Sequence, residues 1–256
     1  MHGVRVIPVL LLQGGGLVKS IKFKKFTYVG DPINAVKIFN EKEIDEIVIL
    51  DIDASKERRG PDMQKIKEFT GEAFIPLAYG GGISTIEEVK ELFYTGVEKV
   101  VLNSSAIYKP QLISEAAKLV GSQSVVVSID VKRNLFGKYK VVTKNATEAI
   151  NEDPITFAKR MQDAGAGEIF LNSVDKDGTY EGYDYALVKQ VSGALDIPLI
   201  ACGGAGSVDD FQQAVLHGAS AVAAGSLFVF QRTHRAVLIS YPSRQELKEK
   251  LFSKIE

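Results

Sequence analysis

The sequence predicts a (β/α)8 TIM barrel built from two duplicated half-barrels, and three observations carry that prediction. First, residues 75–106, IPLAYGGGISTIEEVKELFYTGVEKVVLNSSA, return without a gap at 197–228 as IPLIACGGAGSVDDFQQAVLHGASAVAAGSLF, an offset of 122 residues. Second, eight apolar runs of strand length alternate with eight helical patterns along the chain. Third, those runs are continuous rather than alternating, as expected of parallel strands covered by helices on one face and by one another on the other. One domain over 1–256 is expected, with halves of about 1–122 and 123–256. The competing open doubly wound sheet would not normally repeat by halves.

In chain order, the strands are expected at 5–11, 46–52, 73–78, 99–103, 124–130, 168–172, 198–201 and 221–224. Helical patterns lie at 32–44, 61–70, 85–95, 110–119, 153–164, 183–194 and 208–217, with a polar C-terminal helix at 243–254. Asp31-Pro32 and Asp153-Pro154 mark helix starts, since proline at the first turn lacks only an N–H that would go unused there. Within the repeat, Gly81 falls on Gly203, Gly82 on Gly204, Gly96 on Gly218 and Ser104 on Ser226. Lys22-Phe23-Lys24-Lys25-Phe26 belongs to a long first loop, alternately covering the active face and reaching solvent.

A chain of 256 residues that is 45% hydrophobic can bury a substantial core. Its net charge of −1 gives no footprint for nucleic acid or an anionic membrane. The single cysteine, Cys202, excludes an intrachain disulfide and reads as a small core filler in a reducing, cytoplasmic setting. The opening MHGVRVIPVLLL is too short an apolar run to span a bilayer and carries no signal-cleavage pattern. His2, His217 and His234 have no metal-ligand spacing, so neither a metal nor another cofactor is expected.

Each glycine cluster follows a buried strand, where backbone N–H groups at a helix start attract phosphate. Neither cluster fits the dinucleotide or P-loop pattern. Two phosphate sites, one per half and each with a serine one βα unit later, imply a long ligand anionic at both ends; the alternative is that the glycines only permit tight turns. At the C-terminal ends of the strands stand Asp51, Asp130 and the pair Asp175/Asp177, as acid–base or ligand-binding candidates or as turn and helix caps. At the opposite ends stand Arg5, Glu46, Lys99 and Glu168, as a charged ring or a solvated rim. Tyr79 reads as a lumen-filling or lid-contacting side chain.

The motifs GDP (30–32), LDIDAS (50–55), YGGGI (79–83), NSSA (103–106), SID (128–130), VDKDGT (174–179) and CGGAG (202–206) resemble the cyclase (synthase) subunit of imidazole glycerol phosphate synthase, a glutamine amidotransferase of histidine biosynthesis. The resemblance implies phosphate binding by Gly82, Asn103 and Ser104 in one half, and by Gly178, Gly204, Gly225 and Ser226 in the other. It implies substrate contacts from Lys19, Asp51, Asn172 and Asp177, and catalysis by Asp130. An ammonia gate of Arg5, Glu46, Lys99 and Glu168 is implied, with a glutaminase docking on that face near Glu98. The family's other catalytic aspartate is absent: Pro8-Val9-Leu10-Leu11-Leu12 puts Leu11 in its place.

That departure, with the opening RVIPVLLLQGGGLVKSIKFKKFTYVGDPINAV, resembles a paralogous branch associated with bacterial surface polysaccharides. The branch implies work with a glutaminase and a sugar amidotransferase protein, converting an acetamido group on a nucleotide-linked sugar into an acetamidino group. Two other readings stand beside it: histidine-pathway cyclisation on Asp130 alone, and a non-catalytic subunit that docks and activates a glutaminase.

Overall fold

The structure is a computed structural model that describes residues 3–231 and 236–255; His2 and His234 lie outside the described residues. Eight strands form the barrel: β1 (Arg5–Gln13), β2 (Ile47–Asp51), β3 (Leu77–Gly80), β4 (Lys99–Leu102), β5 (Val125–Arg133), β6 (Glu168–Ser173), β7 (Leu199–Cys202) and β8 (Ala221–Ala224). Each pairs in parallel with the next, and β8 closes on β1 through Arg5↔Ala221 to Pro8↔Ala224. Around it run α1 (Pro32–Glu41), α2 (Met63–Glu72), α3 (Ile86–Tyr94), α4 (Gln111–Val120), α5 (Pro154–Asp163), α6 (Tyr185–Ser192) and α7 (Val208–Leu216). The polar C-terminal segment is helical as expected, but Lys248–Phe252 forms a π turn between Arg244–Leu247 and Ser253–Ile255.

Side chains of the strands sort into two cores. Leu10, Ile49, Val100 and Val127 face the helices, whereas Ile7, Val9, Val48, Ala78, Val126 and Phe170 fill the lumen. Leu11, Leu50 and Cys202 cap the lumenal column. Tyr79 corrects its expectation: it packs with the helix-facing set, because Ala78 takes the lumenal position and neighbours on a strand point to opposite faces.

Local sequence explains the helix starts. Asp31, Asp62, Asp153 and Asp184 each accept a backbone N–H from the first turn they precede. Thr85 and Glu88 form a reciprocal capping box on α3, whereas Ser207, the repeat mate of Thr85, makes no such bond on α7. The third strand begins later than expected, at Leu77. Phe74 is exposed on the rim, and Pro76 has no N–H for the ladder, although its carbonyl accepts from Ile47.

Two antiparallel hairpins correct the reading of plain loops at the C-terminal face. β1 continues into strands Gly16–Ile21 and Lys24–Gly30, and β5 into Tyr139–Thr143 and the short Glu148–Ala149. The first hairpin turns through Lys22 and Phe23 at φ of 53° and 59°, a left-handed turn without the usual glycine or asparagine. Among the described residues, no helix is long and apolar enough to cross a membrane.

Candidate active site

The barrel mouth is built from matching positions in the two halves. Leu11 stands beside Leu50 and begins the pairing of β1 with its returning hairpin strand at Val18. Asp130 stands beside Asn172 and begins the same pairing from β5 at Val142. Strands β1 and β5 lie across an eight-stranded barrel from each other, so an apolar pair faces a polar one.

Asp130 is held by two carboxamides. Asn172 Nδ2 donates to one carboxylate oxygen at 3.0 Å and Asn103 Nδ2 to the other at 3.1 Å, and Asn103 also donates to the Ser128 carbonyl at 3.0 Å. Burial pushes the Asp130 carboxyl up to about 6; the two amide bonds oppose that rise and Asp177 adds to it. Such a group exchanges protons near neutrality. Asn172 Oδ1 is buried and has no hydrogen-bond partner. The side chain of Asn103, expected at a phosphate, is thus engaged with Asp130.

Lys19 reaches down from the first hairpin. Its Nζ donates to the Val9 carbonyl, and it lies against Gly225, where any Cβ would collide with it. Burial lowers its ammonium to about 8, against the pull of Asp177. Burial also raises the carboxyl of Asp177, offset by Lys19 and by hydrogen bonds from the Ser20 hydroxyl (3.0 Å) and the Phe23 backbone N–H. The Lys22 N–H donates to the Asp177 carbonyl at 3.0 Å, so the hairpin is fastened over the mouth. Burial pushes the Cys202 thiol up to about 12, which leaves it protonated and unreactive.

Asp51 does not point freely into the mouth. It accepts from the Asp53 and Ala54 N–H groups and forms a two-pronged pair with Arg59 at 2.8 and 3.0 Å, a partner the sequence reading did not identify. Asp175 accepts from the Arg133 N–H at 2.8 Å. Ser104 and Ser226 open two short helices, Ser104–Tyr108 and Ser226–Val229, at repeat-equivalent places. Gly82, at φ 76°, packs against the Arg59 carbonyl, where a Cβ would approach to 2.5 Å. Gly178 and Gly204 lie in the mouth loops of the second half, both at positive φ.

At the other end of the lumen, four charges close a ring. Arg5 pairs with Glu46 at 2.5 Å and with Glu168, while Lys99 reaches Glu46 at 2.9 Å and Glu168 at 3.0 Å. Glu46 Oε1 remains unpartnered in this buried setting. Glu98 is exposed on the same face. Among the described residues, no group of side chains is arranged to hold a metal ion.

A (β/α)8 barrel with an amide-cradled Asp130 at its mouth and a closed ion-pair ring at its base has the architecture of a synthase subunit. The chain belongs to the histidine biosynthesis protein family, whose model matches residues 5–234. It is 51% identical over 247 residues (95% of this chain, 97% of the relative) to a Pseudomonas aeruginosa protein provisionally named imidazole glycerol phosphate synthase subunit hisF2. It is 50% identical over 252 residues (96% of each chain) to a Vibrio vulnificus protein provisionally named subunit hisF3. The Alkaliphilus metalliredigens imidazole glycerol phosphate synthase subunit HisF is 43% identical over 225 residues, 88% of this chain and 89% of that one. Its HisF relatives are subunits of a synthase, and the chain is an enzyme subunit of that type.

Proposed function

We propose that the chain is the ammonia-accepting synthase subunit of a glutamine amidotransferase complex, serving conversion of an acetamido group to an acetamidino group on a nucleotide-linked sugar for surface polysaccharide. The observation that carries the reading is Leu11 opposite Asp130: the position across the mouth from that carboxylate is apolar, where ring closure to an imidazole would call for a facing pair of acids. Ammonia from a glutaminase on the Glu98 face passes the ring of Arg5, Glu46, Lys99 and Glu168 and rises through the apolar lumen. A sugar amidotransferase protein activates the amide oxygen by transferring to it a phosphoryl or nucleotidyl group from a nucleoside triphosphate, so that the oxygen can leave within a phosphate ester or phosphate. The ammonia lone pair then forms the new C–N bond, Asp130 takes a proton from the added nitrogen, and the activated oxygen leaves with its electron pair. Lys19, Asp51, Asn172 and Asp177 contact substrate, and Ser104 and Ser226 with their neighbouring glycines bind its phosphates. The complex works in the cytoplasm.

A second reading, histidine-pathway cyclisation, is favoured by the repeat-equivalent Ser104 and Ser226, which suit a ligand anionic at both ends. Ammonia-dependent turnover of the cyclase substrate by wild type and by Leu11→Asp separates the two. Robust wild-type product rejects the sugar assignment; product only from Leu11→Asp supports it, because the frame then still holds that substrate while its own chemistry lies elsewhere. Stimulation of a glutaminase that persists in Asp130→Asn, with no ammonia transfer lost, would instead reduce the chain to an activating subunit.

A further inference from the structure

The hairpin that extends β5 ends in a feature the active site does not use. Asn134-Leu135-Phe136-Gly137 forms its turn, with Gly137 at φ 74° and Asn134 Oδ1 accepting from the Phe136 and Lys138 N–H groups at 2.9 and 3.0 Å. The Asn134 N–H donates to the Lys138 carbonyl, and the Gly137 N–H to that of Asn134, both at 2.9 Å, so the turn is rigid. On its apex sit two large apolar side chains, Leu135 at 101% and Phe136 at 88% exposure. Loop apices are ordinarily polar, and a convex apolar tip gains nothing from water.

Charge is distributed just as unevenly. Residues 131–147 hold five Lys or Arg and no Asp or Glu, and 3–30 are likewise free of acids, although the whole chain is at −1. Arg133 is paired with Asp184, but no ion pair engages Lys132, Lys138 or Lys140 among the described residues. The tip of the first hairpin, at Lys22, lines the same cleft as Arg133, so the two basic hairpins are neighbours. A protein partner would need a pocket shaped to this apex. A bilayer needs none, because acyl chains yield around an apolar tip while anionic headgroups meet its cationic collar.

We propose that the mouth face docks peripherally on an anionic lipid surface, with Leu135 and Phe136 entering the headgroup layer and Lys132, Lys138 and Lys140 against lipid phosphates. On this proposal the footprint is local and disappears in the net charge of the whole chain.

The chain has no tryptophan, so a single introduced indole reports alone. Phe136→Trp on the tip and Phe74→Trp on the opposite rim start from the same 88% exposure. With vesicles of equal parts phosphatidylcholine and phosphatidylglycerol at low salt, the Phe136→Trp emission shifts to the blue and the protein co-sediments. Phosphatidylcholine alone does neither, and Phe74→Trp shows no shift. Adding Lys138→Glu and Lys140→Glu to Phe136→Trp weakens binding at least ~10-fold, and raised salt weakens it further. An unshifted Phe136→Trp at low salt overturns the proposal and leaves the tip to a protein surface. An equal shift at Phe74→Trp, or binding that ignores the two charge reversals, overturns it as well.

Discussion

The two halves of the barrel place different chemistry on the same frame. Leu11 beside Leu50 and Asp130 beside Asn172 occupy corresponding strand registers, each at the point where the barrel strand begins to pair with its hairpin. At the base the asymmetry is reversed: Glu46 and Glu168 are repeat mates, but both cations, Arg5 and Lys99, come from the first half, with Lys99 matched by Ala221. The duplication preserves turns and registers, which backbone geometry demands. It leaves lumenal side chains free to diverge, since there they meet ligand rather than the packed helix layer.

The largest effect is expected from erasing the polar member. Asp130→Asn lowers ammonia-dependent turnover by about 10²–10⁴-fold, measured with the complex at saturating ammonia. The same variant gives a stability readout. In the fold Asp130 titrates at about 6, above the carboxylate of the unfolded chain at about 4. Its contribution is therefore fully present below about pH 4 and lost as pH rises through about 6. Denaturant unfolding of wild type should show that loss, and Asp130→Asn should flatten it.

Making the halves alike sharpens the contrast from each side. Asn172→Leu, which copies Leu50 into the second half, removes a donor bond to the ionised carboxylate, an interaction of about 1.5–3 kcal/mol. The acidic limb of the turnover profile should move to higher pH, read from kcat/KM against pH. Leu11→Asp copies the acid into the first half. Like-charge repulsion across the mouth should also raise the Asp130 titration, and burying a second carboxylate costs about 1–3 kcal/mol of unfolding free energy. A pH profile unmoved by either variant would refute the role given to this pairing. The smallest effect lies on the frame: Thr85→Ala should cost about 1 kcal/mol through its capping box, and Ser207→Ala only a few tenths, measured by thermal unfolding.

What the sequence made legible follows from what repeats along it. Glycine turns and continuous apolar runs repeat, so the barrel could be read, and Asp130 was visible as a carboxylate ending an unbroken run. The orientation of Tyr79 was not, because a four-residue strand apolar on both faces has no period to read. The turns at Lys22-Phe23 and Asn134-Leu135-Phe136-Gly137 carry no two-residue Asn-Gly or Asp-Gly signal, whereas Gly14-Gly15, both at positive φ between paired Gln13 and Gly16, is a hairpin signal that the triple glycine of that stretch obscures. The amide cradle joins Asp130 and Asn172 from two strands to Asn103 just beyond a third, and Arg59 reaches Asp51 across a loop. Such convergence exists only in space.

The Lys22–Phe23 turn also has a bearing on timing. Two non-glycine residues in the left-handed region raise the energy of this turn by roughly 1–2 kcal/mol each, a cost the pairing of Ile21 with Lys24 and the contacts to Asp177 offset. Its hold rests on Asp177, which faces Lys19 and takes bonds from Ser20 and Phe23. Any occupant of the mouth that draws Lys19 or Asp177 to itself therefore competes with the contacts that seat the hairpin. Replacing Lys22-Phe23 by Asn-Gly would relieve the turn, and the expected result is a hairpin whose amides exchange more slowly with solvent.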